Sequence, residues 1–335
     1  MSKPDQIGIG ADLGTMGIIG ARRLDDGKIK TTRVRNAFID LPPEHKRMLK
    51  LSNTSFVEID KRLVVVGDEA LETANLLNKD VRRPMAGGVI SAGELDAQQI
   101  IALIMKKVLG DPLVPGERCC YSVPAAAVDV SGSDIAYHSM ILGKILRELG
   151  YDPEPTNEAL AIIFSECVKE NFSGIAISFG SGMVNVCLAY NAMSALEFAL
   201  GRSGDWVDAG AAKAVGTTAA RICSIKESGV DITKPNIESR ESEAIALYLT
   251  NLIDYTITEI IRNFARKRGD IYISKPLPII ISGGTSLATG FVNKFRERFD
   301  VHRAKFPVQI SEIRAAADPM NAVAQGLLLL SQSDD

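Results

Sequence analysis

A strand that runs into a glycine turn and comes back as a second strand occurs twice in this chain, and the repetition restricts the fold more than any other feature. Near the start, Ile7-Gly8-Ile9-Gly10-Ala11-Asp12-Leu13-Gly14-Thr15 reads as a buried strand entering a turn, and Gly17 to Arg22 returns beside it. Far downstream, Gly174-Ile175-Ala176-Ile177-Ser178-Phe179-Gly180-Ser181-Gly182-Met183 repeats the pattern, with Val184 to Tyr190 and Ala195 to Leu200 as returning strands. Two half-molecules, each opening with a β-turn-β unit, are implied. A chain of 335 residues has room for them, because domains run to about 100–200 residues each.

Helix and strand alternate between and after these units. Short apolar runs at Ser55 to Ile59 and Leu63 to Val66 bracket the charged turn Asp60-Lys61-Arg62, which predicts a small β subdomain over about 32–80. Residues 83–90 read as a loop. Apolar spacing predicts helices over Leu95 to Leu109, Ser133 to Leu149, Asn157 to Lys169, Glu241 to Arg266 and Pro319 to Leu330, and strands over Arg118 to Val123 and Pro276 to Ile281. The polar stretch around Asp231 to Asn236 reads as an insertion, a second small subdomain over about 209–240. Such alternation predicts α/β architecture with helix-covered sheets.

Composition removes several function classes. Hydrophobic residues are 46% and charged residues 24%, which excludes disorder, collagen and disulfide-scaffold classes. A formal charge of −3 gives no electrostatic case for nucleic acid or an anionic membrane as partner. The five cysteines show no C-x-x-C spacing and read as reduced thiols, and the three histidines lie far apart without a ligand pattern. The polar start Met1 to Gln6 is not a signal peptide, and no uncharged apolar stretch reaches the length that spans a bilayer. A cytoplasmic protein without a membrane anchor is expected.

Glycines directly after a strand allow backbone N–H groups to approach a phosphate, because no Cβ intervenes. Three such turns occur, at Gly14, at Gly180 with Gly182, and at Gly283 with Gly284. Each taken alone is commonly structural. Gly8-x-Gly10-x-x-x-Gly14 superficially resembles a dinucleotide fingerprint, yet its first glycines lie within the strand and the turn leads to another strand rather than a helix. No G-x-x-x-x-G-K-[ST] loop is present. A carboxylate between phosphate-binding turns can hold Mg²⁺ directly or through its water shell, and Asp12 is placed for that.

The ordered set resembles the actin-like ATPase superfamily of actin, the heat-shock ATPase chaperones and the bacterial actins. Asp12-Leu13-Gly14-Thr15 looks like the first phosphate loop, and Ser178-Phe179-Gly180-Ser181-Gly182 occupies the second. Tyr121 to Ala125 resembles the strand before the first connecting helix, and Asn157-Glu158-Ala159-Leu160-Ala161 the start of that helix. Gly204-Asp205-Trp206-Val207-Asp208 is similar to the Gly-Asp segment, Ile225-Lys226-Glu227 to the helix that meets ribose or purine, and Ser282-Gly283-Gly284 to Gly290 to the adenosine loop. Asp318 to Gly326 resembles the second connecting helix. Within the superfamily, Val66-Gly67-Asp68-Glu69-Ala70, Arg83-Pro84 and Gly88-Val89-Ile90 look like the MreB and MamK bacterial actins.

This resemblance implies two pseudo-duplicated actin-like, ribonuclease H-like domains around a nucleotide cleft: domain I over 1–151 plus 318–335, and domain II over 152–317. It implies ATP or ADP with Mg²⁺ as cofactors. Asp12 would position Mg²⁺ through water, and Glu158 would orient the attacking water. Gly14, Thr15 and Met16 would meet phosphate on one side and Gly180, Ser181 and Gly182 on the other, with Asp205, Lys226, Glu227, Gly283, Gly284 and Thr285 completing the nucleotide contacts. The implied function is a nucleotide-dependent cytoskeletal filament whose partner is a copy of itself, with adaptor proteins as further partners. The alternatives are a chaperone-like ATPase switch acting on a partner protein, and a nucleotide-binding pseudoenzyme. One departure bears on rate: the second loop normally opens with Asp, and here Ser178 stands there, with Met183 where Thr or Ser is usual. Losing a carboxylate near the metal predicts slow hydrolysis, at about tenfold per 1.4 kcal/mol of barrier.

Overall fold

The computed structural model describes residues 7–333 except 78, 133, 268–272, 274 and 307. The polar start Met1 to Gln6, Ser133 at the expected start of one helix, and the last two residues lie outside the described residues. The chain divides into two compact units, Met1–Val123 with Asp134–Thr156 and Leu327–Asp335, and Pro124–Ser133 with Asn157–Gly326.

In the first unit, β1 (Ile9–Leu13), β2 (Gly17–Arg23) and β3 (Ile29–Arg35) form an antiparallel meander. Next come β4 (Phe38–Leu41), α1 (Lys46–Leu51), β5 (Val57–Ile59), β6 (Arg62–Val66) and α2 (Asp68–Leu76), built on a small three-stranded sheet of order β4-β6-β5. This part has its own apolar cluster, including Ile39, Leu49, Leu63, Val65 and Ala70. Residues 83–90, expected as a loop, hold the two-residue strands β7 (Met85–Ala86) and β8 (Val89–Ile90). Helix α3 (Ala97–Leu109), strand β9 (Glu117–Val123), helix α4 (Ile135–Glu148) and strand β10 (Tyr151–Asn157) follow. The main sheet has order β10-β9-β1-β2-β3, with β1 parallel to β9. Alternate residues of β1, Ile9, Ala11 and Leu13, share a core with Ile100, Ile104, Leu142 and Leu146 of α3 and α4.

The second unit contains α5 (Glu158–Glu166), β11 (Gly174–Phe179), β12 (Val184–Tyr190), β13 (Met193–Leu200), α6 (Gly204–Val215), α7 (Ala219–Glu227), α8 (Arg240–Arg266), β14 (Leu277–Ser282), α9 (Phe291–His302), β15 (Ile310–Ala315) and the start of α10 (Ala322–Ser331). Strands β11 and β14 are buried at every residue and pair in parallel, which explains their unbroken apolar runs. Ile175, Ile177 and Phe179 point into a core with Val207, Ile253 and Phe295 of α6, α8 and α9. By alternation, Ala176 and Ser178 take the other face of the strand. Helix α8 starts at Ser239, whose side chain accepts from Ser242 N, a cap worth about 1 kcal/mol. Among the described helices it alone is long and apolar enough by composition to cross a membrane, and 56% of its most apolar window is buried inside the molecule. Ile245, Leu249, Leu252 and Ile260 in the core account for that apolarity.

The second sheet has order β13-β12-β11-β14-β15. Read from its other edge it superimposes, strand for strand and direction for direction where pairing is defined, on β10-β9-β1-β2-β3. The fold is therefore a mixed α/β architecture with two lobes of one topology, as the repeated glycine turn predicts.

Candidate functional site

The two glycine turns have the same backbone geometry. Gly14 N donates to Gly17 O at 3.1 Å, and Gly180 N donates to Met183 O at 3.0 Å. A Cβ would fall 2.9 Å from Gly17 O in the first turn and 2.7 Å from Met183 O in the second, so both chains close tightly where only glycine fits. Asp12 and Ser178 stand two residues before these glycines and are equivalent in the duplication.

In the first unit, Asp12 Oδ1 accepts from the Ser122 hydroxyl at 3.0 Å, and Ser122 Oγ accepts from Leu13 N at 2.8 Å. Desolvation pushes the Asp12 carboxyl up to about 6, opposed by the Ser122 hydrogen bond and the Arg33 charge. Asn36, fully buried between β3 and β4, braces the turn: its Nδ2 donates to Gly14 O at 3.0 Å and its N to Met16 O at 2.9 Å. Thr15 is buried, and its hydroxyl accepts from Gly88 N at 3.2 Å, linking the turn to the β7–β8 segment.

In the second unit, β11 and β12 place Ser178 opposite Asn185, and both side chains reach Glu158 in the first turn of α5. The Ser178 hydroxyl donates to Glu158 Oε1 at 2.6 Å, and Asn185 Nδ2 donates to Oε2 at 2.8 Å. Asn185 is fixed in turn, since its Oδ1 accepts from Ala125 N at 3.0 Å. Asn157 caps α5, its Oδ1 accepting from Ala159 N and Leu160 N at 2.9 and 3.0 Å, and so sets where Glu158 enters the helix.

The second turn is tied to two other segments. Gly180 O accepts from Gly204 N and from the Thr285 hydroxyl, both at 3.0 Å. Ser181 O accepts from Asp205 N at 2.8 Å and from the Ser203 hydroxyl at 2.5 Å. The structure thus joins Gly180, Ser181, Asp205 and Thr285 in one hydrogen-bonded cluster. Gly283 completes it, with φ of +91° and a virtual Cβ only 2.5 Å from Phe179 O. Ser181 Oγ is buried and has no hydrogen-bond partner among the described residues.

Lys226 forms a part-buried ion pair, its Nζ 2.7 Å from Asp208 Oδ1 and 3.4 Å from Gly204 O. Burial raises the Asp208 carboxyl and Lys226 opposes that shift. Glu227 is exposed at the end of α7. Asn36, Ser122, Asn185, Ser203 and Asp208 were not singled out by sequence, because their roles depend on partners from other elements. Ser122 and Asp208 do lie inside segments that carry the family resemblance.

The fit to a nucleotide with Mg²⁺ rests on these observations. Two cradles closed to any side chain and one orphaned hydroxyl suit phosphate. Among the described residues no group of three or more His, Cys, Asp or Glu is placed to hold a metal. Asp12 is the residue that would hold Mg²⁺.

The two lobes have the actin-like fold. The MamK double helical filament has a TM-score of 0.72 to this chain at 18% identity, covering 98% of this chain and 99% of that one. MreB5 of Spiroplasma citri bound to ADP gives 0.67 at 16% identity, covering 98% and 97%. The ethanolamine utilization protein EutJ from Carboxydothermus hydrogenoformans gives 0.55 at 15% identity, covering 98% and 90%. No curated protein sequence matches the chain significantly. The Volactin family model matches residues 7–330, and the chain belongs to the Volactin family.

Proposed function

We propose that this chain is a cytoplasmic actin-like protein that binds ATP or ADP with Mg²⁺ and assembles with copies of itself into filaments. The observation that carries the nucleotide reading is the tied cluster around Gly180 and Ser181 with its unpartnered Ser181 hydroxyl. Similarity of fold to the MamK double helical filament supports self-assembly, and likeness to MreB5 bound to ADP and to a MamK mutant bound to AMPPNP supports the nucleotide.

In this reading the backbone N–H groups of each glycine turn bind phosphate, and Ser181 Oγ donates to a phosphate oxygen. Asp12 would hold the metal, whose positive charge would favour the ionised carboxyl. When bound, Mg²⁺ supplies neutralisation of phosphate charge. Ser178 holds one oxygen of Glu158 and Asn185 the other, which orients the carboxylate toward a role in positioning water. Hydrolysis is slow because Ser178 offers a hydroxyl where a carboxylate would help to order metal and water. Adaptor proteins are further partners in this reading.

Calorimetry with Mg-ATP tests the site: Asp12→Ala and Gly180→Val are expected to weaken binding by more than about tenfold, while Glu158→Ala spares binding and slows turnover. Wild-type affinity in the first two variants sinks the assignment. Sedimentation and electron microscopy with and without ATP test assembly, and small species under all salt and protein concentrations oppose the filament reading.

A further inference from the structure

An open groove of about 540 Å³ runs along one face of α8 in the second unit, away from the glycine turns in sequence and unused by the nucleotide reading. Leu247, Asn251, Tyr255, Thr258 and Arg262 follow one another along it in steps of three and four residues, one stripe of a helix. At a rise of 1.5 Å per residue, that stripe is about 22 Å long. The side wall comes from the start of α6 and the loop before it. There Trp206 packs edge-on against Tyr248 with ring centroids 5.3 Å apart, and the Arg202 guanidinium lies 4.1 Å above the Tyr255 ring and 5.4 Å from Trp206.

The charges of the groove are unequal in what they have to bind. Asp254 is taken by Arg298 at 2.7 Å, Arg262 by Glu259 at 2.5 Å, and Asp129, beside Tyr255, accepts the tyrosine hydroxyl at 2.8 Å and Gly201 N at 2.7 Å. Arg202 is exposed, and among the described residues it makes no ion pair and no hydrogen bond. Its guanidinium carbon lies over the Tyr255 ring, while among the described residues its N–H donors are unused. A guanidinium held over an aromatic ring with its donors open suits a carboxylate. At the other end Leu247 is 59% exposed next to the aromatic pair.

We propose that this groove docks an extended acidic segment of a partner protein, with a carboxylate on Arg202 and an apolar residue against Leu247 and Trp206. Its length exceeds what a single small anion occupies and matches about six or seven extended residues. Of the two cations that line it, Arg202 is the one without an ion pair among the described residues, so an acidic group is the contact it suits, and the make-up of Trp, Tyr and Arg beside an exposed leucine is that of surfaces where a few residues carry most of the binding energy.

Trp206 is the one tryptophan of the chain, so its emission reports on the groove directly. The probes are two fluorescein-labelled nine-residue peptides, one alternating Glu and Leu and one with Gln in place of every Glu. Saturable anisotropy of the acidic peptide, with a matching change in Trp206 emission and binding at least about tenfold weaker for the Gln peptide, is expected. Arg202→Gln and, independently, the surface change Leu247→Glu each reduce acidic-peptide affinity by about tenfold at unchanged far-ultraviolet circular dichroism. Equal binding of both peptides, no binding of either, or wild-type affinity in both variants overturns the proposal. So does a shift of Trp206 emission with protein concentration alone, which identifies a second copy of the chain as the occupant.

Discussion

The hydroxyl of Ser178 donates to Glu158 Oε1 at 2.6 Å, while Asn185, its neighbour across the sheet, donates to Oε2. These two neutral donors fix the orientation of the carboxylate. An aspartate at 178 would set a second carboxylate against the first, a repulsion of about 4 kcal/mol at close range near a protein surface. Ser178→Asp is expected to lower the melting temperature more at pH 8 than at pH 5, where a proton shared between the two groups relieves the clash. Ser178→Ala is expected to cost about 1–3 kcal/mol at both pH values, the penalty for an acceptor left unpaired. Equal losses for the aspartate variant at both pH values would show that the two carboxylates do not meet.

Lys226 and Asp208 hold α7 to α6 through a pair whose side chains are 11% and 5% exposed. Removing only the lysine leaves a buried carboxylate without its cation. Lys226→Met alone is expected to cost about 3–5 kcal/mol, and the double variant Lys226→Met with Asp208→Leu to recover most of it. Denaturant titrations of the two single variants and the double variant provide the cycle, and simple additivity of the losses would contradict the pairing.

Gly283 and Gly284 are adjacent and differ sharply in what they tolerate. A Cβ on Gly283 meets Phe179 O at 2.5 Å and the backbone has φ of +91°, whereas a Cβ on Gly284 has only Met320 Cε at 3.5 Å. Gly283→Ala is expected to destabilise by more than about 2 kcal/mol and Gly284→Ala by less than about 1. Thermal melts of the two variants side by side decide this, and similar melting temperatures would argue against the close approach of β11 to the Gly283 turn.

His138 in α4 is buried, accepts at Nδ1 from Ile90 N at 3.2 Å, and among the described residues has no partner at Nε2. Desolvation pushes it down from 6.5 to about 4. Between those values the unfolded chain binds a proton that the folded chain refuses, so stability falls as pH falls through the window. At 1.36 kcal/mol per pH unit the full effect is about 3 kcal/mol. The wild type is expected to lose about that much more stability than His138→Gln between pH 7 and pH 4, measured by urea denaturation. Parallel pH profiles for the two proteins would remove His138 as the cause.

The strands that local pattern identifies least are the sheet edges. β3, Ile29-Lys30-Thr31-Thr32-Arg33-Val34-Arg35, is polar with only Val34 buried, and β15 carries Ser311, Glu312 and Arg314. β10, Tyr151-Asp152-Pro153-Glu154-Pro155-Thr156-Asn157, holds two prolines that a central strand would reject and an edge strand accepts, since one side of its ladder is unpaired. Edge residues bury only part of their surface, so they lack the apolar run by which β11 and β14 are recognised. Helix α8 shows the opposite case: a complete 3.6-residue pattern with a cap at Ser239, readable from sequence to within a residue of its observed start.

The sequence by itself determined the duplication, because the two glycine turns are local: a tight turn after a buried strand needs glycine whatever surrounds it. It also determined Asp12 and Glu158 as the carboxylates of interest, through the segments that resemble actin-like ATPases. What only the tertiary structure decided is who holds them. Ser122 reaches Asp12 from β9, and Asn185 reaches Glu158 because antiparallel register sets it opposite Ser178. The stacked Arg202 exists because α6 and α8 pack side by side. Those partners are far apart along the chain, and only the pairing of strands and the packing of helices bring them within hydrogen-bond or ring-contact distance.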